Sequence, residues 1–66
     1  MEALNEFRKN YYSTRVMVYD NYMVYSVTPG HSKKATQEAN DLIEELDLPL
    51  IAQRSSDFSF SISLNY

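Results

Sequence analysis

The sequence predicts a small α+β domain of order α-β-β-α-β-β, a four-stranded antiparallel or mixed sheet with one main amphipathic helix packed on one face. Three observations carry this. Phe58, Phe60, Ile62, Leu64 and Tyr66 alternate with Ser59, Ser61, Ser63 and Asn65, and a period of two puts all the large groups on one face of a strand. Two stretches rich in Val, Tyr and Thr, 14–19 and 22–28, lie either side of Asp20-Asn21, the pattern of a hairpin. Ala35, Ala39, Leu42, Ile43 and Leu46 recur at helical spacing, which makes one apolar stripe.

The elements follow in order within a single domain, residues 1–66. Leu4, Phe7 and Tyr11 share a stripe, with Glu2 and Glu6 early and Arg8 and Lys9 late, as the helix dipole favours. A helix is expected at about 2–12, and at that length it must dock on something. Asp20 and Asn21 tolerate positive φ better than other non-glycine residues, so they suit a two-residue turn. That turn sets Tyr19 opposite Tyr22, Val18 opposite Met23, Met17 opposite Val24, Val16 opposite Tyr25 and Arg15 opposite Ser26. One face of the hairpin then carries Val16, Val18, Met23, Tyr25 and Val27. The other carries Arg15, Met17, Tyr19, Tyr22, Val24 and Ser26. Both faces are substantially apolar.

Pro29-Gly30-His31 breaks the second strand, and Ser32 is placed to cap the next helix. That helix, about 33–47, exposes Glu38, Asp41, Glu44, Glu45 and Asp47, and it ends at or before Leu48 because Pro49 follows. Its small Ala35 and Ala39 allow a close approach to the sheet. Strands at 50–54 and 58–65, joined by the polar turn Ser55-Ser56-Asp57, complete the chain. A parallel return from the second strand through the helix to the third would be right-handed.

A chain of 66 residues buries only about 60% of its unfolded surface. It has no cysteine and one histidine, so neither disulfides nor a thiolate or histidine metal site can reinforce it. Idealised packing or oligomerisation is left, and a homodimer is one expectation. No cofactor is expected.

The net charge of −3 and pI of 4.8 run against the basic stripe of a nucleic-acid binder. No apolar run is long enough for a membrane span. The opening residues Met1-Glu2-Ala3-Leu4-Asn5-Glu6 lack the basic and apolar regions of a secretion signal, so a cytoplasmic location is expected.

Catalytic signals are weak. Gly30-His31-Ser32 is a string of neighbours, and a catalytic triad is a matter of spatial geometry. The expectation is that Gly30 turns the chain, His31 is exposed and Ser32 caps. Lys33 and Lys34 at the same helix start lack the repeated glycines of a phosphate loop. No calcium-loop pattern is present.

The doubly apolar hairpin is the stronger lead. One helix covers one sheet face, and Met17, Tyr19, Tyr22 and Val24 on the other need a cover of their own: the N-terminal helix, a second copy, or a different protein. Tyrosine and methionine beside arginine is also the composition of an interface core. The expectation is a non-catalytic protein-binding module, an inhibitor or adaptor, with Met17, Tyr19, Tyr22 and Val24 as anchors and Arg15 at the rim. In size and element order the chain is similar to several tiny phage-encoded proteins that block host polymerases or defence complexes, which implies an inhibitor. An uncovered final strand would add pairing through its edge. The rival expectation is a nucleic-acid-binding regulator stacking bases on Tyr19 and Tyr22, with Arg15, Arg8 and Lys9 as phosphate contacts.

Overall fold

Six elements follow one another in the expected order in a computed structural model of the chain: α1 (Glu2–Asn10), β1 (Val16–Val18), β2 (Tyr22–Ser26), α2 (Ser32–Glu45), β3 (Leu50–Ser56) and β4 (Ser59–Leu64). The structure describes residues 2–11 and 13–65. The expected helical end at Tyr12 and the last apolar side chain of the final strand, Tyr66, lie outside the described residues.

The strands form one sheet in the order β1-β2-β4-β3, with every neighbouring pair antiparallel. β3 does run parallel to β2, but β4 is inserted between them. The hairpin register is the expected one, Val16 with Tyr25, Met17 with Val24 and Val18 with Met23. The final strand is not an edge. It lies between β2 and β3, bonded on both sides, so it offers no free backbone for edge pairing. β1 and β3 are the edges.

Met23 and Tyr25 of β2, Phe60 and Ile62 of β4, and Leu50 and Ala52 of β3 point to one face and are buried. Ala35, Ala39 and Ile43 of α2 pack onto that face, and Leu4 and Phe7 of α1 join the same core. α1 therefore does not cover the Met17–Val24 face. Its aromatic stripe is drawn to the aromatic side of the core instead. Phe7 and Tyr11 meet Tyr25 edge-on at 5.8 and 5.3 Å, and Tyr25 stacks on Phe60 at 5.2 Å. Such pairs add to the free energy of burying the rings.

Tyr25 hydroxyl donates to the Tyr11 carbonyl at 3.3 Å. Burial pushes its pKa up to about 12, against a lowering by Arg8 and a further raising by Tyr11. Tyr11 is raised too, by burial first and then by the charge of Glu38.

α2 ends in two bonds, Asp47 N–H to Glu44 C=O and Leu48 N–H to Ile43 C=O, both 3.1 Å. This is a Schellman closure, and it requires a left-handed residue where glycine is usual. Asp47 fills that place at φ 54°. The helix thus stops before the proline restriction acts. At its start Ser32 is not the cap. Ser32 is the first helical residue and His31 the cap, with no side-chain cap bond. Ser32 Oγ is buried and accepts from Arg54 Nε at 3.0 Å, so β3 takes the hydroxyl that a cap would have used.

The β3–β4 reversal also lies later than expected. β3 runs on to Ser56, with a register irregularity between Arg54 and Ser56, and the chain turns at Asp57-Phe58. Phe58 is consequently exposed at the turn instead of joining Phe60 in the core.

Candidate interaction surface

With both helices on one side, the other face of the sheet is bare. Parity and register place three rows across it: Arg15–Ser26–Ser59, Met17–Val24–Ser61–Gln53, and Tyr19–Tyr22–Ser63–Ile51, the last closing the hairpin. Arg15, Met17, Tyr19, Tyr22 and Val24 are thus brought onto one surface, as the sequence predicts. Met17 is 60% exposed, Tyr19 42% and Tyr22 38%, while Val24 is half-buried among them.

The tyrosines are ordered against each other. Their rings stack with centroids 4.6 Å apart and planes 13° from parallel, and the Tyr19 hydroxyl donates to Met17 Sδ at 3.8 Å. The turn beneath them differs from expectation, because neither Asp20 nor Asn21 takes a positive φ. The hairpin is closed instead by the Tyr19 N–H donating to the Tyr22 carbonyl at 2.9 Å. Turns without positive φ fit the strand twist less well and splay the hairpin, consistent with a β1 of only three residues.

Beside this ridge runs a low strip. Ser61 and Ser63 of β4 are too small to reach the height of Tyr22, and a hollow of about 280 Å³ opens between Asn21, Tyr22, Ser61, Ser63 and Leu64. An apolar ridge next to a polar trough is a relief that a complementary protein surface can read.

The five residues of the nucleic-acid reading are divided. Arg8 and Lys9 are on α1, on the helix side of the sheet, where they line a hollow of about 390 Å³ with Tyr11, Val16 and Tyr25. Only Arg15 shares the open face with the tyrosines.

The other chemistry-bearing candidates are spread out. His31 is exposed and Ser32 Oγ is engaged by Arg54. The acidic residues of α2 stay on the solvent side, and no group of three His, Asp or Glu among the described residues is placed to hold a metal ion. No described helix is long and apolar enough to cross a membrane. A concavity of about 760 Å³ is an open groove between α1 and the loop before β3, flanked by Glu2, Glu6, Lys9, Leu48, Pro49 and Leu64.

Two features escape a reading of the sequence. Asn40 turns its amide onto β3, donating from Nδ2 to the Ala52 carbonyl at 3.0 Å and accepting the Ala52 N–H on Oδ1 at 2.9 Å. It imitates the backbone of a neighbouring strand and blocks the middle of that edge. A faint signal exists, since residue 40 borders the Ala39–Ile43 stripe, where a polar residue invites the question of its partner. The second feature is that β1 has no such closure. Along β1 the bonds to β2 come from Arg15, Met17 and Tyr19, as Ser26 N–H to Arg15 C=O and Tyr19 N–H to Tyr22 C=O show. By alternation, Val16 and Val18 turn their N–H and C=O outward, and these groups find no partner among the described residues.

Comparison with protein-family models, with curated proteins and with solved structures finds no match to this chain.

Proposed function

We propose that the chain is a small protein-binding module, an inhibitor or adaptor that works by occlusion or scaffolding and carries out no catalysis. Met17, Tyr19, Tyr22 and Val24 are its anchors and Arg15 its rim. One observation carries the reading: both helices pack on the same side, which leaves an ordered Met–Tyr–Tyr ridge in solvent. Monomeric proteins seldom expose contiguous apolar patches beyond a few hundred Å² without using them. Aromatic anchors already held by stacking also lose less freedom on binding than mobile ones.

The test is capture from a nuclease-treated lysate, with the native chain set against a folded Met17→Ser, Tyr19→Ser, Tyr22→Ser variant. The expected result is a protein retained in stoichiometric amount by the native chain alone, with little change as salt is raised. Retention of the same proteins by both chains, or of none, overturns the reading. Capture that needs intact nucleic acid and weakens steeply with salt would move the assignment to a nucleic-acid regulator.

A further inference from the structure

We propose that two copies of this chain pair through their β1 strands, antiparallel and centred on Met17, into one continuous sheet of eight strands. The proposal concerns the edge of the sheet and stands apart from the protein-binding reading of its face.

The geometry of β1 is self-complementary. The outward backbone groups belong to Val16 and Val18, on either side of Met17. A two-fold axis through Met17 sets Val16 against the partner's Val18 and Val18 against the partner's Val16. Each of these pairs exchanges two hydrogen bonds, so every free group of the strand is used. β3 is a poorer template, because Asn40 holds both outward groups of Ala52 and so blocks the middle of that edge, between the outward groups of Leu50 and Arg54.

The side chains agree with this register. Val18 points to the helix side of the sheet but is 51% exposed, since neither helix reaches it. Val16, on the same side, borders the hollow between α1 and β1. Antiparallel pairing lays the partner's Val18 next to Val16, at the mouth of that hollow, so an unburied valine gains a place to go. On the open face, Arg15 falls opposite the partner's Tyr19. A guanidinium there meets an aromatic ring, which attracts it. Such a closed two-fold contact is the commonest form of self-association, and pairing removes a free edge that would otherwise template other strands.

The register makes a sharp cysteine test, as the chain has no cysteine of its own. Met17 would face the partner's Met17 in a non-hydrogen-bonded pair, with Cα atoms about 4.5 Å apart, within disulfide range. Val16 and Val18 would each lie two residues out of step with their own copies. Met17→Cys, Val16→Cys and Val18→Cys are oxidised separately in a glutathione buffer, and the native chain is sedimented over a range of concentrations. The expected result is a native species of twice the 7.7 kDa chain mass and at least tenfold more disulfide-linked dimer from Met17→Cys than from either valine variant. A native chain that stays at 7.7 kDa up to millimolar concentration overturns the proposal. So does equal cross-linking of the three variants, or a native dimer in which Met17→Cys fails to link.

Discussion

The two edges of the sheet are built in opposite ways. β3 has seven residues, α2 lies along it, and the Asn40 amide holds the N–H and C=O that Ala52 turns outward. β1 has three residues, leaves Val16 and Val18 with outward backbone groups, and exposes Met17 on one face and Val18 on the other. A free edge is a hazard that proteins blunt with charge, proline or a covering element. Here one edge is blunted by a single side chain and the other is left apolar and open. Asn40 blocks the middle of one edge and no side chain among the described residues does the same for the other, and the proposed pairing through β1 uses this asymmetry.

That contrast can be broken from either side. The largest effect is expected on the closed side. Asn40→Ala removes both bonds to Ala52 and leaves its buried backbone groups unsatisfied, a loss of about 2 kcal/mol read as a lower urea midpoint. For 66 residues, where total stability is roughly 3–10 kcal/mol, this is a large share. The variant also gains a second open edge, so it should form larger species than the native chain in sedimentation.

Alkali should act next, through the aromatic cluster behind β2. Tyr25 has its pKa raised to about 12 in the fold, against about 10 in an unfolded chain. The folded state therefore holds this proton more tightly, and its contribution is complete below pH 10. Above that the unfolded chain ionises first, and stability falls until the pH passes about 12. By pH 11 the expected loss is roughly 1.4 kcal/mol, the worth of about one pKa unit. Tyr25→Phe should flatten that part of the stability profile at a neutral-pH cost of about 0.5–1 kcal/mol for the hydrogen bond to Tyr11.

A stabilising change is available on the closed side. Asp47 sits at φ 54° in the closure of α2, and Asp47→Gly relieves that backbone while keeping both terminal bonds. A gain of about 0.5–1 kcal/mol is expected in thermal unfolding. Smallest of all is Val18→Lys on the open edge. Its side chain is half in solvent already, so monomer stability should shift by less than about 0.5 kcal/mol. Self-association should nevertheless drop by more than tenfold, since a charge then replaces the apolar contact beside the partner's Val16.

The same contrast explains what the sequence reveals. Period and turn chemistry act locally, so the hairpin register from Arg15–Ser26 to Tyr19–Tyr22, the α2 stripe and the alternation from Ser59 to Leu64 are all legible. Parity then places Met17, Tyr19, Tyr22 and Val24 on one face without any knowledge of the fold. What is not legible depends on contacts distant in sequence. Strand order puts β4 in the centre because β2 and β3 both pair with it, and nothing in the Phe–Ser–Phe alternation distinguishes a central strand from an edge. Phe58 falls out of that alternation because the reversal lies at Asp57-Phe58, one step past the polar residues that suggest the turn. The sequence leaves α1 equally free to cover either face, and the choice follows from Phe7 and Tyr11 finding Tyr25 and Phe60. Asn40 and Ser32 read as ordinary helix residues until β3 supplies their partners, Ala52 and Arg54.

The most direct test of the open and closed edges is amide hydrogen exchange, resolved by residue, in dilute and in concentrated solution. The account predicts that Ala52 N–H is protected at both concentrations. Val16 and Val18 N–H should exchange freely when dilute and gain protection as the concentration rises. Exchange at Ala52 as fast as at Val16 and Val18, or valine amides already protected in the dilute monomer, would contradict it.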